Sequence, residues 1–183
     1  MGKKSLVPLA LVSVSLLIST NTSQVMAANM RSFIEAVRRK AAVVYVGSVK
    51  EVHLLTRTKF DVKARVLVEV LAIARGTGVN PREGTVEYSS FDDKTPMLAG
   101  GPQYQLTPGV EVVVFADSFV STIPPGYLLQ GSREELLQRV LALRDALKHM
   151  SPDQLKVNEI DDEDRRIQLE LYEKLCAYLC ASK

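Results

Sequence analysis

The sequence predicts an α+β fold in which five strands lie between a short helix and a set of C-terminal helices. Three observations predict it. Apolar residues alternate with period two in the first half of the chain, the period changes to 3.6 after Ser132, and two capping boxes mark helix starts. With 183 residues, 46% hydrophobic and 24% charged, the chain has globular composition and room for one ordinary domain. No internal repeat or low-complexity tract interrupts it.

Residues 1–27 read as a cleavable signal peptide. Lys3 and Lys4 form a positive start, Leu6 to Ile18 is an apolar run of 13 residues, and Val25-Met26-Ala27 sets small residues before a cut between Ala27 and Ala28. A spanning helix needs about 20 apolar residues, so no stable membrane anchor is expected after cleavage. The expected destination is the periplasm or the medium. Without Lys3 and Lys4, the 23 basic residues of the whole chain fall to match its 21 acidic ones, and the mature chain is neutral. A neutral chain is not expected to coat nucleic acid. Aromatics at 6% and no Trp argue against a platform that stacks sugars or bases.

The mature chain is read as a domain over 28–150, followed by a helical extension over 151–183. Ser32 to Glu35 is the first capping box, and Phe33, Ile34 and Val37 give a short apolar stripe. Ala41 to Val49 is a continuous apolar, β-branched run and predicts a buried strand, with Gly47 marking a bulge or a close backbone approach. In the segment from Phe60 to Ile73, the residues Phe60, Val62, Ala64, Val66, Val68 and Val70 alternate with mostly polar neighbours. That is a long strand with one wet face. Thr85 to Ser89, Val110 to Ala116 and Tyr127 to Gln130 complete the five. Pro96, Gly100, Gly101, Pro102, Pro108 and Gly109 break the chain between the third and fourth strands.

Ser132 to Glu135 is the second capping box. Leu136, Leu137, Val140, Leu141, Leu143 and Leu147 line the helix that follows. Ser151-Pro152 starts a further helix, and Asp161 to Ala181 forms the last, with Ile167, Leu171, Leu175, Tyr178 and Leu179 as its stripe. This stripe either completes the core or carries an interface. Cys176 and Cys180 fall on one face of that helix, about 5–6 Å apart at Cβ, too far for an undistorted disulfide. They read as helical thiols, one or both buried, or as an inter-chain bridge.

Five strands flanked by helices suit a small OB-like antiparallel β-barrel. The stretch from Ser32 and Glu35 through Ala41-Ala42-Val43-Val44-Tyr45-Val46-Gly47-Ser48-Val49 resembles the opening of a netrin-like module, the barrel of the tissue inhibitors of metalloproteinases and their bacterial relatives. The resemblance continues at Val68-Glu69-Val70-Leu71, Arg75-Gly76, Leu106-Thr107-Pro108-Gly109, Val113-Val114-Phe115-Ala116 and Gly126-Tyr127-Leu128-Leu129, and covers Ser32 to Leu147. In those inhibitors the mature chain begins with a Cys-x-Cys pair, and the terminal amine and carbonyl of the first Cys chelate the protease zinc. Here the mature chain starts Ala28-Asn29-Met30-Arg31, so the disulfides that would hold the terminus rigid are missing and chelation would cost more entropy.

No nucleophile elbow, Walker loop, dinucleotide fingerprint or HExxH pair occurs, and Gly76-Thr77-Gly78 reads as a loop after a strand. His53 is placed in a polar stretch between strands and His149 at a helix C-terminus; neither is assigned a catalytic role. Asp161 to Asp164 lacks the alternation and central Gly of a calcium loop and suits the first turn of a helix. No metal or cofactor is expected. The residues singled out for binding are Arg57, Lys59, Lys63 and Arg65, which share the wet parity of the long strand. The expected function is an exported, non-enzymatic module that binds a protein partner. A barrel that binds an anionic small molecule or glycan on that basic face is the alternative.

Overall fold

The computed structural model describes residues 34–58, 61–76, 78, 80–91, 104–123 and 127–181. The expected leader with its expected Ala27/Ala28 cut, the expected Ser32 cap, Lys59, Phe60, and the breakers Pro96, Gly100, Gly101 and Pro102 lie outside these residues. Helix α1 covers 34–40. Six strands follow: β1 Val43–Arg57, β2 Asp61–Arg75, β3 Glu83–Phe91, β4 Glu111–Ala116, β5 Val120–Ile123 and β6 Leu128–Gly131. The chain ends in α2 Arg133–Lys148, α3 Pro152–Val157 and α4 Asp162–Cys180.

The α+β class holds. The strands form one mixed sheet in the order β5-β3-β2-β1-β4-β6, with β5 parallel to β3 and every other pair antiparallel. This corrects the five-stranded, antiparallel, closed barrel expected from the sequence. β6 takes the outer edge of β4, and among the described strands the four-residue β5 bonds only β3, so the sheet is not closed into a barrel. The extra strand is β5. Its Val-Ser-Thr-Ile run is too short for periodicity to reveal, and it is held by pairing with Thr85–Tyr88.

Alternation sorts the side chains onto two cores. Val44, Val46, Val113 and Phe115 face the helices, and with Leu136, Val140, Leu171, Tyr172 and Leu175 they form one buried cluster. Tyr45, Val49, Ala64, Val66, Val68, Val86, Val112 and Val114 fill the other face. Among the described residues no helix side chain joins that cluster, and curling of the sheet buries it. Four register shifts between β1 and β2 supply the bend. At one of them Gly47 is required, because a Cβ there would strike the Val68 side chain and lie 2.6 Å from the Glu69 carbonyl oxygen.

The C-terminal helices complete the core: Leu155, Ile160, Leu171, Leu175 and Leu179 belong to the helix-side cluster. Ile167 does not; it is 40% exposed. Two arginines pin antiparallel α2 and α4 at both ends. Arg133 donates to the carbonyls of Leu179 (3.2 Å) and Tyr178 (3.1 Å), and Arg165 donates to that of Lys148 (2.7 Å). The Ser132 and Ser151 capping boxes form, and Asp161 caps α4 with Asp162, Glu163 and Asp164 in its first turn.

Candidate functional site

The two 15-residue strands are offset, and among the described residues the offset leaves part of each without a neighbouring strand on one side. β3 accompanies β2 only to Glu69, with a last contact from Val70 N–H to the Arg82 carbonyl at 2.8 Å. From Leu71 to Arg75, β2 pairs only with β1 among the described strands. An unpaired strand edge presents backbone donors and acceptors in a row, ready for another extended chain. Here the edge is not flat against solvent. It forms one wall of an open groove of about 720 Å³, with Ile167, Glu170, Leu171 and Lys174 of α4 as the other wall. Ile167 supplies exposed apolar surface there, while Glu170 and Lys174 supply both signs of charge.

Arg75 fixes the geometry at the head of the groove. Its Nη1 donates to the carbonyls of Arg39 (3.0 Å) and Ala41 (3.1 Å), and its Nη2 donates to Gln168 Oε1 (3.3 Å). One side chain thus ties the end of α1, the start of β1 and the middle of α4. Burial pulls its guanidinium below the ordinary value. Sequence reasoning took Arg75 only as the end of a strand. Nothing local marks an arginine whose partners lie 34 to 93 residues away.

The second open stretch is the distal part of β1. Residue pairing with β4 stops at Ser48, Val49 still bonds the backbone of Gly109 and Val110, and from Lys50 to Arg57 the strand pairs only with β2 among the described strands. This places His53 inside a strand, not between strands, with its Nε2 2.9 Å from Glu51 Oε2. Leu54 is 58% exposed on this hairpin. A register shift between Leu54 and Thr56 interrupts the edge. Two further register shifts interrupt β2 at Ala74 and Leu71, so bulges mark both open stretches, and what distinguishes Leu71–Arg75 is the wall of α4 that faces it.

Of the four residues singled out from the sequence, Lys59 lies outside the described residues, and the other three are not brought together on one face. Arg57 lies on β1 opposite Val62, so it shares the face of Ala64 and Val66, while Lys63 and Arg65 occupy the opposite face of β2. Arg65 is engaged: its Nε and Nη2 donate to Glu87 Oε1 at 2.8 and 2.5 Å. Lys50 pairs with Glu69 at 3.1 Å. The wet face of the long strands is therefore a mixed-charge surface rather than a basic one.

Cys176 is buried and Cys180 exposed, both as free thiols. Burial pushes the Cys176 thiol up, which disfavours its thiolate. His149 caps α2, its Nδ1 donating to the Asp145 carbonyl at 2.8 Å. Among the described residues no cluster of three or more His, Cys, Asp or Glu could hold a metal, and no helix is long and apolar enough to cross a membrane. No protein-family model matches the chain, and no curated protein does.

Proposed function

We propose that this chain is an exported, non-enzymatic interaction module that binds a protein partner by accepting an extended segment in the groove between the β2 edge and α4. The single observation that carries the reading is the unpaired stretch Leu71–Arg75 set opposite a helix. Main-chain hydrogen bonds along such an edge give affinity, and side chains that alternate into the groove give selectivity. Ile167 offers an apolar anchor, with Glu170 and Lys174 beside it for polar residues of the segment. Export rests on the residue pattern of 1–27.

We also read the sheet as an OB-type barrel, of the netrin-like kind, opened at one seam. What supports this is the circuit of neighbours. β5 pairs with β3 and also touches β4, so β1, β2, β3, β5 and β4 run almost full circle, with β6 added outside β4. Inhibition of a metalloprotease rests on the resemblance alone. An anionic ligand on the Lys63 and Arg65 face would have to compete with Glu87 for Arg65.

The test is capture from the source envelope and medium with the chain tagged at Lys183, read by mass spectrometry. Three baits are compared: the unaltered chain, Ile167→Asp, and the Leu54→Ser/Leu55→Ser double variant. The proposal expects a partner that Ile167→Asp loses and the hairpin variant keeps. Equal recovery by all three, or loss only with the hairpin variant, would remove the groove as the site.

A further inference from the structure

The groove between the β2 edge and α4 is not electrically neutral. Arg75, Arg82 and Lys174 lie on its walls, with Glu170 as the acid among them. Arg75 donates to the Arg39 and Ala41 carbonyls and to Gln168 Oε1, all neutral acceptors, so its charge is not cancelled. Arg82 and Lys174 are exposed, and neither forms an ion pair among the described residues. Glu170, by contrast, is already engaged by Arg166 Nη1 at 2.5 Å, and Arg166 also pairs with Glu163 at 2.6 Å. That trio carries one net negative charge against the three cations on the walls.

The backbone alone does not hold a segment here. The register shifts at Leu71 and Ala74 leave Ala72 and Ile73 as the regular stretch. Main-chain bonds over so short a run do not offset the entropy lost in immobilising an extended chain. Affinity and selectivity must therefore come from side chains. Ile167 is the apolar contact. Lys174 lies about two turns beyond it, about 10 Å along the helix axis, a distance an extended chain covers in about three residues. Arg82 lines the groove from the side of β3, where its carbonyl accepts from Val70 N–H at 2.8 Å. An apolar side chain on Ile167 therefore brings neighbouring positions of the same segment to both free cations.

From this charge pattern we infer that the groove accepts an acidic extended segment, one in which carboxylates alternate with apolar residues. The carboxylates meet Lys174 and Arg82, and an apolar side chain meets Ile167. The acidic preference rests on the groove being the docking site, and the two can fail separately. A basic segment would face three like charges. A polyanion with no peptide backbone would satisfy the cations but leave the donors and acceptors of the strand edge unused.

The test uses short acetylated and amidated peptides that alternate Val with Glu, Val with Lys or Val with Ser, all carrying the same fluorescent label. Each is titrated into the purified chain and followed by anisotropy and by amide exchange. The Val/Glu peptide is expected to bind at least about fivefold tighter than the other two and to slow exchange of the Leu71–Arg75 amides. Its advantage should shrink in about 0.5 M NaCl. Lys174→Gln and Arg82→Gln should each weaken it at least about twofold. The double variant Lys174→Glu/Arg82→Glu should transfer the preference to the Val/Lys peptide. Both side chains are exposed, so far-UV circular dichroism should stay unchanged. Ile167→Ser removes the apolar contact without altering charge and should weaken all three peptides. If the three peptides bind alike and all protect Leu71–Arg75, the acidic preference is overturned and the groove stands as the docking site. If none protects those amides, both are overturned. Tripolyphosphate that displaces the Val/Glu peptide as well as its unlabelled form does would overturn the peptide assignment in favour of a simple anion site.

Discussion

Tyr45 carries a hydroxyl that the fold buries without a partner. The ring is wanted: it is fully buried, and its centroid lies 5.3 Å from that of Phe119. The hydroxyl is crowded as well, since a Cβ on Gly84 would sit 2.6 Å from it. Removing an unsatisfied polar atom relieves a desolvation cost rather than breaking a bond. Tyr45→Phe should therefore match or exceed the unaltered chain in denaturant unfolding at pH 7, and a loss above about 1 kcal/mol would contradict this. Burial also drives the Tyr45 phenol well up, and burial is the first cause of the same direction at Tyr88, Tyr127 and Tyr172. A phenol held above its unfolded value of about 10 keeps its proton longer in the folded state. Its contribution is complete below about pH 10 and is lost as pH rises beyond it. Stability should decline above pH 10, and Tyr45→Phe should make that decline shallower.

At the scale of elements, α4 belongs to the core that the strands begin. Leu175 is almost fully buried among residues of the sheet and α2. Leu175→Ala should cost about 2–5 kcal/mol in equilibrium unfolding, and deletion of Asp161 to Lys183 should abolish cooperative folding. A folded, cooperative deletion variant would mean that the extension only docks. The helices were legible because their signals are local: Ser132, Ser151 and Asp161 cap within three residues, and the 3.6 period marks the buried face. The last stripe was misread at Ile167, which opens onto the groove, while Gln168, Tyr172 and Cys176 are buried in its place. Helical spacing finds a face but not its width. β5 was illegible for the opposite reason, since four residues carry no period and their order comes from β3, more than thirty positions upstream.

At the scale of the whole molecule, the α+β class followed from local pattern, whereas sheet closure depends on which strands meet. The sequence analysis therefore reached the alternation on β2 and not the open seam. It likewise placed four basic residues on one face, although the β1–β2 register puts Arg57 on the opposite face from Lys63 and Arg65, and Glu87 on β3 meets Arg65. The groove escaped notice because its edge is defined by where β3 begins, and its far wall lies about a hundred residues away in α4. The central claim is that this edge accepts an extended segment. Hydrogen–deuterium exchange on the chain, alone and with its captured partner, tests that most directly. Slowed exchange of the amides of Leu71–Arg75, with added protection on α4 around Ile167 to Lys174, is the predicted result. Protection confined to the β1–β2 hairpin, or to the Lys63 and Arg65 face, with Leu71–Arg75 unchanged, would contradict it.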